Sequence, residues 1–309
     1  MDISEFFRLY PDEQSCKEFF KQKRSKEHSC CKRCGSLQLR WEEKASRWRC
    51  KQCKHTMSLK QGTVMENSNL GFRIWLWGLY LMSLTKKGFS ALELQRLIGH
   101  KRYEPIWLMM HKVRISMGHR DDKYMLDGYI EMDEGFFEGH RKKQEEVAAK
   151  EMDRQVKAVV AVSRNPVAEN KRSKHHPGTK AGYVKMKVVN RLSNKDVGYE
   201  ATKIVHHSAT ALTDGKRCYN SLKSICTTHE TIVVSDKKEV SKIFPWVHIA
   251  ISNVKKKLLG LHHQIKDSYM QNYLNEFCYK FNRRFFEAAL FDRLIVAALE
   301  KPWYKPNYG

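Results

Sequence analysis

The chain has 309 residues, a length that accommodates two or three domains with at least one full-sized core. Lysine and arginine number 57 against 34 for aspartate and glutamate, which gives a formal net charge of +23. This excess is too large to serve solubility alone; it predicts a polyanionic partner, and nucleic acid fits best.

The N-terminus and the apolar runs bear on the expected compartment. Residues 1–5 are acidic and precede no apolar core, so no signal peptide is visible. The longest apolar run, residues 74–84, is interrupted by Gly78 and Ser83 and is too short to cross a bilayer. We therefore expect a soluble, cytoplasmic protein with no membrane partner. The nine cysteines are then interpreted as metal ligands or buried thiols rather than disulfides.

A basic, helical segment over residues 1 to about 28 leads into two Cys-x-x-Cys pairs separated by fifteen residues. The four cysteines are Cys31, Cys34, Cys50 and Cys53. This spacing predicts a tetrahedral structural zinc site of the zinc-ribbon kind, because each pair presents two thiolates to one ion. Cys30 lacks the x-x spacing to Cys34, whereas a ligand swap with His28 or His55 stays open. We assign residues 1–67 to this N-terminal helix and ribbon.

Residues 68–120 are predicted to be a helical DNA-binding block. Ser90 and Glu93 form a capping-box pattern at a helix start, and Gly99 ends that helix. A second helix begins near Tyr103, with Pro105 in its first turn. Two helices joined by a short glycine-containing turn are typical of a helix-turn-helix.

The second helix carries three basic side chains that are DNA-binding candidates, namely His111, Lys112 and Arg114. In a helix-turn-helix they would give the recognition helix a basic face in the major groove. The alternative is an ordinary helical hairpin inside a bundle. The basic zinc ribbon directly before this block favours the DNA-binding interpretation.

Strand patterns begin after residue 121, and we assign residues 121–309 to a third domain. The first strand, within residues 129–139, places Asp133 and Glu134 among apolar neighbours. Burying carboxylates costs free energy unless a cation binds them. The simpler alternative is an exposed hairpin whose acidic side chains face water. Apolar strands at 155–163 and 183–189 follow, which predicts an antiparallel meander of three strands.

Two more polar residues follow these strands. Asp214 stands at the end of a short predicted strand, and Asn253 lies on a helix that starts near Val247. A carboxylate on the first strand, a second after a later strand and a polar residue on a following helix make a ribonuclease-H-like arrangement. The fold class is therefore α+β and multidomain. Lys255, Lys256, Arg283 and Arg284 are further DNA-binding candidates.

With these parts in one order, nearly the whole chain resembles the bacterial insertion-sequence transposases of the IS1595 (ISXO2-like) family. The motifs that carry the resemblance, besides the cysteine pairs and the helix-turn-helix, are Gly62-Thr63, Glu131-Met-Asp133-Glu134, Thr213-Asp214-Gly215, Tyr219, Trp246-Val-His248, Asn253-Val-Lys, Leu259-Gly-x-His-His263, Tyr273-Leu-x-Glu-Phe and Phe281-Asn-Arg-Arg284.

The resemblance implies a transposase with a DDE-like site. Asp133 and Asp214 match the two aspartates, and Asn253 stands where the wider superfamily has glutamate. These three residues would be catalytic and would bind Mg²⁺ or Mn²⁺, with less negative charge for a second ion. The expected partners are double-stranded DNA, as terminal inverted repeats and target, and further copies of the chain on paired ends. The protein would associate with the nucleoid when bound.

Two other functions fit the same residues. Asn253 motivates a catalytically silent DNA-binding repressor or transposase relic, and the same fold allows a structure-specific nuclease without strand transfer. Because neighbours on a strand point to opposite faces, Glu134 is expected to take an exposed or supporting position rather than bind the same metal as Asp133. His248 and His263 could position phosphate or water.

Overall fold

The computed structural model describes residues 2–25, 30–139, 155–172, 178–233, 243–262, 265–286 and 289–300. His28 and His263 lie outside them. The chain divides into two compact units, residues 1–116 with 286–309 and residues 117–285. The predicted domains differ from these units, because the ribbon and the helical block share one unit and the C-terminal segment belongs with them.

The first unit begins with helices α1 (Ile3–Leu9) and α2 (Glu13–Ser25). An antiparallel sheet follows, formed by β1 (Leu39–Glu42), β2 (Arg47–Cys50) and β3 (Thr56–Ser58) in that order. Helices α3 (Phe72–Leu84), α4 (Ala91–Ile98) and α5 (Tyr103–Asp121) come next; α5 extends past the boundary between the units. The last described helix, which we number α10 (Leu290–Glu300), packs against α3.

The ends of α4 lie where the capping-box pattern and Gly99 predicted them. The Ser90 hydroxyl accepts a hydrogen bond from the Glu93 amide at 3.1 Å, and the Glu93 side chain bonds back to the Ser90 amide. Gly99 ends the helix in the left-handed conformation, with φ of 72°, which glycine adopts at little cost. The short connection to α5 therefore forms as its residues predict.

The basic face predicted for α5 is wrong. His111, Lys112 and Arg114 are each no more than 2% exposed, and the Lys112 ammonium donates to the Glu66 carbonyl at 2.7 Å. The physical reason is that every residue from 109 to 118 is buried, so this part of the helix has no solvent-facing side. Lys101 and Arg102, just before the first turn of α5, are both exposed.

The second unit is built on a five-stranded sheet. Its strands are β4 (Tyr129–Glu138), β5 (Gln155–Pro166), β6 (Thr179–Val189), β7 (Thr210–Thr213) and β8 (Thr228–Thr231). They lie in the order β6-β5-β4-β7-β8. The first three strands are antiparallel, which confirms the predicted meander, whereas β7 pairs parallel with both β4 and β8.

Helices cover both faces of this sheet. They are α6 (Asn194–Ile204), α7 (Leu222–Ile225), α8 (Pro245–Leu261) and α9 (Met270–Asn282). Side chains alternate along β4, so Phe137 packs in one core with α8 and α9, and Ile130 packs in the other with α6. None of the helices in the described part of the chain combines the length and apolar character needed to cross a membrane.

Candidate active site

The parallel pairing of β4 with β7 brings the two predicted aspartates together. Tyr129 lies opposite Thr210 and Glu131 opposite Leu212, so the same register carried two residues further sets Asp133 beside Asp214. One carboxylate oxygen of each lies within 4.8 Å of the other. Asp133 keeps a 15% exposed side chain and Asp214 a 25% exposed one, so both are partly open to solvent.

Glu134 joins the two aspartates, which corrects the expectation that it could not aim at the same place as Asp133. One oxygen of each of the three carboxylates lies within 4.8 Å of the others. Alternation does send the two neighbours to different faces, but β4 pairs with β7 only from Tyr129 to Glu131 among the described residues. Past that point the edge of β4 is not covered by β7, so a glutamate side chain can reach round it.

Lys216 follows Asp214 in the turn after β7 and lies between two of these carboxylates. Its ammonium pairs with Glu134 Oε1 and with Asp214 Oδ2, the latter at 2.9 Å. The other Glu134 oxygen accepts a hydrogen bond from the Tyr219 hydroxyl at 3.1 Å. The Glu134 side chain is only 6% exposed, and these two donors compensate for its burial.

Helix α8 brings His248 to the same place. Its Nδ1 lies 3.7 Å from Asp133 Oδ2. Burial raises the pKa of Asp133 to about 7, and the nearby Glu134 charge adds to the effect. Burial lowers the pKa of His248. Neutral imidazole and a carboxyl group that ionises close to neutrality are both suited to exchange protons or to bind a cation.

Asn253 and two lysine candidates lie on the same helix. Asn253, Lys255 and Lys256 are all exposed. Asn253 follows His248 by five residues, about 140° around the helix axis. The structure thus pairs His248 with Asp133 and leaves the Asn253 amide facing solvent.

The two arginine candidates just after α9 have internal partners, and Arg283 is buried whereas Arg284 is half-buried. The Arg283 guanidinium donates to Asp121 at 2.6 Å, and the residue is 7% exposed. Arg284 donates to the backbone carbonyls of Gly182 and Ala181 at 3.0 and 2.5 Å. A planar guanidinium with five donors is well suited to such fixed acceptors, which explains why arginine stands here.

The four predicted zinc ligands of the first unit also converge. The Sγ atoms of Cys31, Cys34, Cys50 and Cys53 all lie within 4.8 Å of one another. The Cys53 amide approaches Cys50 Sγ at 3.5 Å and is the main cause that lowers the pKa of that thiol to about 6. A thiolate is the form that binds a metal, so the lowered pKa of Cys50 favours binding at this residue. Cys30 is exposed beside them.

Comparison with known protein families decides what kind of protein carries this site. The family described as the ISXO2-like transposase domain matches residues 125–282, about half of the chain. The chain belongs to the ISXO2-like transposase family. No curated protein matches it. The matched segment contains Asp133, Glu134, Asp214 and Asn253, and the family implies a divalent metal ion.

The sheet of the second unit agrees with the fold that the family match suggests. A DDE transposase domain suggests a ribonuclease-H-like fold, and three antiparallel strands continued by two parallel ones are consistent with it. Glu131, Lys216 and Tyr219 have no role predicted from the sequence, although Glu131 and Tyr219 belong to the motifs of the resemblance. Their contacts cross between distant segments, so local spacing carried no signal for them.

Proposed function

We propose that this transposase cleaves DNA at the terminal inverted repeats of its insertion sequence and joins the ends to target DNA. Asp133 and Asp214 would hold Mg²⁺ or Mn²⁺, with Asn253 as the third residue expected from the resemblance. The observation that carries the proposal is the convergence of Asp133, Glu134 and Asp214 within the segment that the family matches. Further copies of the chain would act together on paired ends.

The residues fit a divalent cation. Carboxylate oxygens are the ligands that Mg²⁺ prefers, and the cluster already attracts the Lys216 ammonium. When bound, two such ions activate the attacking oxygen and stabilise the leaving oxygen in phosphodiester chemistry. His248 would orient Asp133 and accept or release a proton at Nδ1, while β4 carries Asp133 and Asp214 directly follows the end of β7.

DNA recognition would use the first unit. We propose that Cys31, Cys34, Cys50 and Cys53 bind a structural zinc ion that holds the basic ribbon together, and that α4 and α5 form a helix-turn-helix. The N-terminal residues of a recognition helix are those that approach base edges. Lys101 and Arg102, exposed at that position, replace the buried basic residues of α5 as candidates. Lys255 and Lys256 remain candidates on the second unit.

The activity is tested with purified full-length protein and a duplex that ends in the terminal repeats flanking its gene. Cleavage at the repeat end followed by covalent joining to a labelled target plasmid, both requiring Mg²⁺ or Mn²⁺, is the expected result. Cleavage without joined product would indicate a structure-specific nuclease. Tight repeat binding with neither reaction would indicate a repressor, and either result would contradict the proposal.

Lys216 gives a prediction about metal affinity. Replacing it by methionine removes the positive charge that Glu134 and Asp214 share and that competes with a cation for these carboxylates. Mn²⁺ should therefore bind the variant on the order of tenfold more tightly, a factor that corresponds to about 1.4 kcal/mol of binding free energy. Isothermal titration of the full-length protein with Mn²⁺, without DNA, measures the change. Lys203→Met is the matched control, because Lys203 pairs with Glu200 on α6. Equal affinities in wild type and Lys216→Met would show that Lys216 does not compete with the ion.

A further inference from the structure

Glu131 is a buried carboxylate that the chemistry described above does not use. It lies on β4 two residues before Asp133, on the same face of the strand, and is 0% exposed. A carboxylate loses several kcal/mol of hydration when it is buried, so it needs strong donors. Its partners therefore show what the side chain does.

Those partners are the first amides of α8. Glu131 Oε2 accepts hydrogen bonds from the backbone N–H groups of Trp246 and Val247, at 2.8 and 3.0 Å. These are the donors that a helix leaves unsatisfied in its first turn, and a residue before the helix usually serves them. Here Phe244 precedes the helix and has no polar side chain, so a strand distant in sequence supplies the acceptor.

A second contact fixes the same turn from the neighbouring strands. The Trp246 indole donates to Thr179 Oγ1 at 3.0 Å, and that hydroxyl also accepts from the Arg164 side chain at 3.3 Å. The Arg164 guanidinium lies 3.9 Å from Glu131 Oε1. The negative carboxylate and the positive end of the helix dipole attract each other, and their burial strengthens the attraction.

The residue that follows this anchored turn is His248, whose imidazole faces Asp133. One strand therefore holds the start of α8 through Glu131 and carries the reacting carboxylate through Asp133. We infer that Glu131 is a positioning residue, which sets the distance and rotation of α8 so that His248 meets Asp133. The inference rests on the proposed function for its catalytic consequence, and on geometry alone for the anchoring.

The anchoring is tested by amide hydrogen exchange in the full-length protein. Glu131→Gln keeps an acceptor but loses the charge, and the amides of Trp246 and Val247 should exchange on the order of tenfold faster, because charge-assisted bonds are roughly twice as strong as neutral ones. Glu13→Gln is the matched control. Glu13 accepts from the Phe72 and Arg73 amides at the start of α3, at 2.7 and 2.9 Å, so it has the same chemistry in the other unit.

The catalytic consequence is tested with a double-mutant cycle. Glu131→Gln should lower the rate of strand cleavage on the order of ten- to a hundredfold, as small misplacements at a reacting centre do. In a His248→Ala background the same change should cost less than about twofold, because the residue it positions is gone. Mn²⁺ affinity should stay unchanged, since Glu131 does not contact the metal cluster.

The outcomes separate the two proposals. Equal cleavage losses in both backgrounds, or amides of Trp246 and Val247 that exchange as slowly as in wild type, would overturn the positioning role. A wild-type protein without cleavage or strand transfer would contradict the proposed function alone, and hydrogen exchange would still decide the anchoring. Should Glu131→Gln lower Mn²⁺ affinity tenfold, Glu131 would be a ligand and the inference would be wrong.

Discussion

Asp133→Asn and Asp214→Asn proteins are each expected to lose DNA strand cleavage by roughly 10³-fold or more, which corresponds to about 4 kcal/mol of transition-state stabilisation. Asparagine keeps the shape of aspartate but removes the negative charge that holds a divalent cation. Both variants should still bind terminal-repeat DNA, because neither residue belongs to the first unit. Single-turnover cleavage in Mg²⁺ and a binding titration of the same duplex measure the two effects.

The control for this experiment is Asp127→Asn. Asp127 precedes β4 at the end of the sheet opposite the cluster, has a 60% exposed side chain and accepts from the Ser208 hydroxyl at 2.6 Å. Its replacement removes the same charge from the same unit and should leave cleavage within about twofold, since surface substitutions usually have small effects. Wild-type cleavage by either Asp133→Asn or Asp214→Asn would show that the reaction takes place elsewhere.

The same assay decides which residue completes the site. Glu134→Gln removes a carboxylate that lies within 4.8 Å of both aspartates, whereas Asn253→Ala removes the amide expected from the family resemblance. A loss of 10²-fold or more, about 2.7 kcal/mol, in only one of these variants would identify the third residue. Glu134 also bonds Lys216 and Tyr219, so its replacement can affect folding. The thermal stability of the Glu134→Gln protein therefore has to be compared with that of wild type.

Removal of the zinc ion is expected to have the second large effect. Cys50→Ser should reduce bound zinc from one ion per chain to none and weaken binding to terminal-repeat DNA on the order of tenfold or more, because a basic module that makes several phosphate contacts is lost. Structural zinc contributes about 10–16 kcal/mol to the folding of small zinc-finger peptides, so a three-stranded ribbon has little to replace it. Elemental analysis and a DNA-binding titration measure these changes.

Cys30→Ser is the matched control in the ribbon. Cys30 adjoins Cys31 but is exposed, and the four converging sulfur atoms belong to other cysteines. This variant should retain one zinc ion per chain and the DNA affinity of wild type. If it loses zinc as Cys50→Ser does, Cys30 is a ligand and the assigned set is wrong. Full zinc retention in Cys50→Ser would exclude Cys50 from the set.

Much of this protein follows from local sequence pattern. Ser90, Glu93 and Gly99 predict the ends of α4, since capping depends on residues three or four apart. The cysteine spacing predicted that four sulfur atoms converge, and in the structure they do. Alternating apolar residues predicted the meander, and the order of motifs identified the family, which the match over residues 125–282 confirms.

Burial and the contacts between distant segments were decided by tertiary structure. His111, Lys112 and Arg114 had the charge of a DNA-contacting face, but whether a helix face meets solvent depends on what packs around it. Glu134 reaches the aspartates because β7 is short, and Lys216 lies between Glu134 and Asp214 because of the turn after that strand. Glu131 bonds a helix whose amides lie more than a hundred residues further along the chain. The sequence alone determined which chemical groups this transposase has, and its local patterns predicted the ends of α4 and the antiparallel strands β4, β5 and β6. Which of those groups meet was decided by the register of β4 against β7 and by the packing of α8, both of which are non-local.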